Sequence, residues 1–255
     1  MIHPSAIVSP KAEIGQRVSI GAFTLVHDDV VIGDDVVIEN HCELGHPTAL
    51  AEGAPLVIGD GALIRSYSCF YAGSTIGPGL RTGHRVTVRE KLVAGRGLQL
   101  GTLTDLQGHA RIGDHVRMHS NVHVGQGSTI GNCVWIFPYV VLTNDPHPPS
   151  EVLRGPTIED FAVVATMSVV LPGARIGTRA LVGAHSLVKG DVPADKVVAG
   201  SPAKVVCDAS SIVLRDGSGR PAYPWMRHFH RGYPPELVAE WKRLFGPFPD
   251  DEASS

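Results

Sequence analysis

An aliphatic side chain returns at every sixth residue from near the start of the chain: Val8, Ile14, Ile20, Val26, Ile32, Ile38 and Leu44. Glycine follows it at Gly15, Gly21, Gly33 and Gly45. The phase breaks over residues 45–57 and resumes at Ile58. It then runs through Ile64, Phe70, Ile76, Thr82, Val88, Ala94, Leu100, Leu106, Ile112, Met118, Val124, Ile130, Ile136 and Leu142, with Thr82 and Ala94 as the weak members. A second break, residues 143–157, precedes Ile158, Val164, Val170, Ile176, Val182 and Val188. A fixed internal period over roughly three quarters of a chain marks a stacked, solenoidal architecture.

A second column supports this. Four residues after an aliphatic stands a small or β-branched residue, as at Val18, Thr24, Val36, Ala62, Ser68, Ala110, Val122, Ser128, Ala162, Ser168, Ala180 and Ser186. Strand side chains alternate, so this residue and the aliphatic two places after it share the inward face. Glycine beside the aliphatic suits a corner where φ is positive or space is short. Three six-residue sides make a coil of about 18 residues, and coils stacked at about 4.8 Å pair their backbones with one another. The expectation is an all-β parallel β-helix over residues 1–206, with a loop protruding at 143–157. A C-terminal extension, residues 207–255, carries a short α-helix near 235–245, where Leu237, Val238, Trp241 and Leu244 recur at helical spacing. This stripe is expected to cap the open end of the helix or to pack across a subunit boundary.

Composition excludes several classes. A formal charge of −3 with no basic stripe argues against a nucleic-acid partner. No basic region followed by an apolar run opens the chain, and no stretch approaches membrane-spanning length, so no membrane association and a cytoplasmic location are expected. Cys42, Cys69, Cys133 and Cys207 form no CxxC pair, which points to buried or idle thiols.

With 18 residues to the coil, residue i stacks on residue i+18. His123 then lies over Asp105, His119 over Gly101, and Asn121 between Leu103 and Tyr139. A carboxylate one strand away fixes an imidazole tautomer and raises its basicity, which is what a general base requires. His123 precedes an inward aliphatic, so its ring points outward. His119 is a second candidate base. His27, His41, His115 and His185 read as exposed wall residues. Arg81, His84, Arg85 and Arg89 lie close in sequence, and guanidinium groups suit a pyrophosphate. The proline-rich break TNDPHPPSEVLRGP, residues 143–156, is a semi-rigid excursion of the kind that carries function.

The repeat resembles that of the hexapeptide-repeat acyltransferases, which implies a left-handed coil, where parallel crossovers in general favour the right hand. Three stretches are similar to the sugar-nucleotide N-acetyltransferase branch: TGHRVTVRE (82–90), RMHSNVHVGQGSTIGN (117–132), and Thr143, Asn144, Asp145 and Pro148 of the loop. The resemblance implies transfer of an acetyl group from acetyl-CoA to a nucleotide-linked amino sugar, for surface polysaccharide, in a homotrimer with clefts between subunits. It implies catalytic roles for His123, Asp105, His119 and Asn121, where Asn121 in some members stands in for a histidine. Substrate contacts are implied for His84, Arg89, Asn144 and Asp145. Coenzyme A is implied to lie along the wall at Ala165, Gly183 and Ala184, with Lys189 and Lys204 toward its phosphates; no metal is expected. Three alternatives stand beside this. One is O-acetylation of a sugar, and another a non-catalytic solenoid. The third is a zinc-dependent, carbonic-anhydrase-like enzyme drawing on His119, His123 and either His84 or His109.

Overall fold

A computed structural model describes residues 1–246. The chain is a parallel β-solenoid whose short strands form three sheets of ten, nine and eleven strands, one along each side of the coil. The register follows the repeat: Val88 pairs with Leu106, Leu106 with Val124, and Val124 with Leu142. Every aliphatic from Ile20 to Val188 in the six-residue column is buried, while Val8 and Ile14 in the first coil are partly covered. Burial of this continuous column is the main driving force for the fold.

The weak member Thr82 is also buried, 5% exposed, because its hydroxyl accepts the Arg65 backbone N–H at 2.8 Å. Small hydroxyl residues in the second column solve the same problem in the other direction. Thr24, Ser68, Ser128, Ser168 and Ser186 donate to the carbonyls of Glu39, Arg65, Gly125 and, for the last two, Gly183. A buried hydroxyl is thereby satisfied.

Of the two reasons for glycine beside the aliphatic, the structure selects space at Gly15, Gly21 and Gly33, and both space and a positive φ, 79°, at Gly45. At Gly59 a Cβ would meet Pro78 N at 2.6 Å, and φ there is not positive. The left-handed backbone falls two residues later, at the turn of each side, and is filled by ordinary residues such as Arg17 (φ 55°), Leu103 (φ 61°), Asn121 (φ 60°) and Tyr139 (φ 62°). Strain of that kind is tolerated when the surrounding ladder fixes it.

Both breaks are insertions. Phe70 pairs with Leu44 and Ile158 with Ile130, separations of 26 and 28 residues where Leu106 and Val88 are 18 apart. The first insertion carries a 3-10 turn, Ala49–Ala51, capped by the Thr48 hydroxyl. The end of the solenoid is closed by an antiparallel hairpin, Lys196–Ala199 with Lys204–Asp208.

The helical stripe of the C-terminal extension, described as far as residue 246, does not cap that end. The extension turns back and lies along the eleven-stranded wall, where Trp225, Met226, Tyr233 and Trp241 bury themselves against Cys133, Trp135, Phe137, Phe161 and Val163. The helix, Pro235–Phe245, faces the wall with Leu237, Val238, Trp241 and Phe245, whereas Leu244 is 60% exposed. No helix among the described residues is long and apolar enough to cross a membrane.

Candidate active site

The outer face of the ten-stranded sheet carries two adjacent columns. One reads Glu43, Cys69, Thr87, Asp105, His123 and Val141. Beside it, two residues further along each strand, stand Arg89, Gln107, Gly125 and Thr143. His123 Nδ1 lies 3.0 Å from Asp105 Oδ2, and the same carboxylate oxygen accepts the Gln107 amide at 2.7 Å. The hydrogen bond from His123 is the chief reason the Asp105 carboxyl is held below its ordinary value, with Gln107 and Arg89 adding to it against the effect of burial. An ionised Asp105 can only accept, so Nδ1 of a neutral His123 carries the proton. Nε2 is left as a free lone pair on the half-exposed side. This is the arrangement of an oriented general base.

The lowered Asp105 value has a sign that can be checked. Its folded state favours the carboxylate, so its contribution to stability is present above the ordinary value, about pH 4, and is lost as pH falls through the folded value. The melting-temperature gap between the wild-type chain and Asp105→Asn is therefore expected to shrink below about pH 4. A gap that stays constant to lower pH would contradict the pairing.

Arg89 belongs to this wall. Its guanidinium contacts Gln107 Oε1 at 3.3 Å and the buried Glu90 carboxylate at 3.1 Å, and lies 5.6 Å from the Tyr71 ring. The other basic residues near it in sequence go elsewhere, because each six-residue side turns the chain onto a new wall. Arg81 faces a cavity on the eleven-stranded wall, lined also by Arg65, Arg117, His119, Trp135 and Arg231. Arg85 sits at a corner over Tyr67, and His84 is exposed, 3.9 Å from Glu39. The four do not converge on one pyrophosphate within one chain.

His119 is also separated from His123. It stacks on Phe137 at 4.7 Å, and burial, then the neighbouring Arg117, lower its pKa. Asn121 occupies a left-handed corner, where asparagine is favoured for its backbone alone. His123 and His119 therefore do not form part of one metal set within a chain. His27 and His115, expected as exposed wall residues, are half-buried. His27 meets Glu43, and His115, its pKa lowered chiefly by burial, lies beside Tyr233. The covering of His115 comes from the C-terminal extension, which the repeat does not describe.

In the protruding loop, Asn144 packs against Gly125, one step beyond His123 in the neighbouring column. Asp145 is occupied by its own loop, accepting the Ser150 hydroxyl at 2.7 Å and the amides of His147 and Ser150. The amides of Ala165 and Gly183 are used inside the wall, donating to Val182 and Val198, while Ala184, Lys189 and Lys204 are exposed.

None of Cys42, Cys69 and Cys133, the first and last buried and Cys69 half-buried, suits a nucleophile. Burial pushes Cys42 and Cys69 up to about 11 and Cys133 up to about 12. A thiol-reactive chromophore is expected to label Cys207, on the end hairpin, before the other three in the native chain. First labelling of Cys133 would overturn that burial.

The repeat, the coil geometry and the outward dyad define a hexapeptide-repeat solenoid. Residues 11–46 match the family described as bacterial transferase hexapeptide (six repeats). A 2,3,4,5-tetrahydropyridine-2,6-dicarboxylate N-acetyltransferase of Staphylococcus aureus is 38% identical over 92 residues, covering 36% of this chain and 33% of the relative. The chain thus matches about a third of the length of such curated relatives. An Arabidopsis UDP-N-acetylglucosamine acyltransferase superposes with a TM-score of 0.58 at 18% identity, over 100% of this chain and 80% of that one, and shows the same fold. Over these segments the chain is thus similar to the hexapeptide-repeat transferases, and its solenoid is the fold that such proteins share.

Proposed function

We propose that this protein transfers an acetyl group from acetyl-CoA to the amino group of a nucleotide-linked amino sugar, with His123 as the general base. The observation that carries the reading is the 3.0 Å contact between His123 Nδ1 and Asp105, which leaves Nε2 free on an open wall. The N-acetyltransferase and sugar-nucleotide acyltransferase named among the relatives support the reaction class.

The amine nitrogen attacks the thioester carbonyl directly while its proton passes to Nε2. As the C–S bond breaks, the resulting imidazolium returns that proton to the departing thiolate, so the products are the amide and the free thiol. No protein thiol takes part. Arg89, Asn144 and the corner backbone of the loop frame the acceptor on this wall. The basic cavity of Arg65, Arg81, Arg117 and Arg231 on the other wall suits its phosphates when two copies face each other in a trimer. Ala184, with Lys189 and Lys204, offers the exposed edge for coenzyme A. The setting is cytoplasmic synthesis of surface polysaccharide.

The test is release of free thiol from acetyl-CoA against a panel of amino-sugar nucleotides, with their hydroxyl counterparts as controls. Turnover with an amino sugar alone is the expected result. Turnover only with the hydroxyl compounds would make the enzyme an O-acetyltransferase, and turnover with neither would remove the proposal.

A further inference from the structure

Near the start of the ten-stranded wall, four donor side chains occupy a two-by-two block. His27 and His46 stand in one column, and Glu43 and Cys69 in the column beside it. His27 Nε2 and His46 Nδ1 each lie 2.8 Å from Glu43 Oε1, and Cys69 Sγ lies 4.0 Å from Glu43 Oε2. Among the described residues, His27, Glu43 and His46 are the one group of three His, Cys, Asp or Glu residues whose donor atoms fall within 4.8 Å of one another, and Cys69 stands beside that group. We propose that His27, Glu43 and His46 bind a divalent transition metal ion of the zinc class, and that the Cys69 side chain turns in from beside Glu43 to complete the set.

The backbone is shaped for this convergence. Simple stacking would place Gly45 beside His27 and opposite Tyr71. The ladder instead slips by one residue between Phe70 and Tyr71, so that Tyr71 pairs with His46. A bulge of this kind re-aims one side chain. It requires glycine at position 45, where φ is 79° and a Cβ would run into the Val30 side chain. The Tyr71 ring, 4.5 Å from the His46 ring, then holds the imidazole against the wall.

The donor chemistry fits the ion. Two neutral imidazoles, a carboxylate and a thiolate give a set of two negative charges for a divalent cation, in the borderline-soft mixture that zinc favours. Zinc–nitrogen bonds of about 2.0–2.1 Å in a tetrahedron separate the donor atoms by roughly 3.3 Å. The 2.8 Å contacts to Glu43 therefore open by roughly half an ångström, and the Cys69 proton leaves to solvent. Burial pushes the Glu43 carboxyl up, but the hydrogen bonds from His27 and His46 more than reverse it, so the carboxylate is ready for a cation. Thr87 and Arg89 lie between this block and Asp105 along the same face. The site is thus separate from the proposed base and independent of the acyl-transfer reading.

The test uses the full, untagged chain stripped with a chelator and titrated with Zn²⁺ by calorimetry and with Co²⁺ by absorption. One equivalent is expected per chain. Cobalt should give tetrahedral d–d bands and a sulfur-to-metal charge-transfer band that disappears in Cys69→Ser. His46→Ala and Glu43→Gln should each weaken binding by at least about tenfold. Thermal unfolding of the metal-free variants checks that they remain folded, and His185→Ala, exposed at a distant corner, serves as the control. Failure of the wild-type chain to bind either ion overturns the proposal. So does undiminished affinity in the folded variants, or a cobalt spectrum without the sulfur band.

Discussion

Replacing His123 by alanine is expected to lower kcat for acetyl transfer by about a hundred- to ten-thousand-fold, with KM for both substrates little changed. The imidazole handles a proton that moves only in the transition state, so its loss falls on the chemical step. Asp105→Asn is expected to give a smaller drop of the same kind. An amide can still accept from Nδ1–H, but without the charge that stabilises the imidazolium. His119→Ala serves as the contrast: its ring stacks on Phe137, away from Asp105, and its removal should leave the acid side of the pH–rate profile in place. Full activity in His123→Ala would show that the proton leaves by another route.

The largest expected effect on stability comes from Trp241→Ala. Trp241 is 1% exposed and lies 4.6 Å from the Tyr233 ring and 5.3 Å from Trp225. Removing a buried tryptophan typically costs about 3–5 kcal/mol, the lost transfer energy plus the cavity left behind. Here the cost should fall on the docking of the extension, because the solenoid core is a separate cluster. The expected outcome is proteolytic cleavage within residues 209–234 while the solenoid keeps its far-ultraviolet signal and its own melting transition. Simultaneous loss of both would show that the extension and the coils unfold as one unit.

The parts of this structure legible in the sequence are those governed by the unbroken repeat. Between residues 58 and 142 stacking is simple addition, which is why His123 and Asp105 could be paired and why Asn121 falls between Leu103 and Tyr139. The same addition fails at the His27 cluster. The first insertion carries the chain from Glu43 to Cys69 rather than to Gly61, and the bulge substitutes His46 for Gly45. No period encodes either step. Arg81, His84, Arg85 and Arg89 were misleading for a related reason: nearness in sequence is not nearness in space when the wall changes every six residues.

The resting place of the extension was obscured by the repeat itself, which treats every outward residue as surface. A signal was present nonetheless. Trp135, Phe137, Phe161 and Val163 put large apolar groups at outward or corner positions, where preceding coils carry Arg117, Arg81 and Gln99. An apolar outer face of that extent calls for a cover. Leu244 shows the limit of helical spacing alone, since Phe245 takes its place against the wall.

The two insertions leave the solenoid and re-enter it with the strand register restored, Ile32 over Ile58 and Ile130 over Ile158. The fold therefore has something like a reading frame. Length added at a corner is absorbed where it enters, and every later column keeps its inward or outward sense. A single residue deleted from within a coil has no such exit. It acts as a frameshift, turning the following aliphatics toward solvent and the polar residues toward the core until a compensating insertion restores the phase. Variation in the lineage of this chain should accordingly gather at the corners near residues 45 and 143, with the coils between Ile58 and Leu142 held to a fixed count.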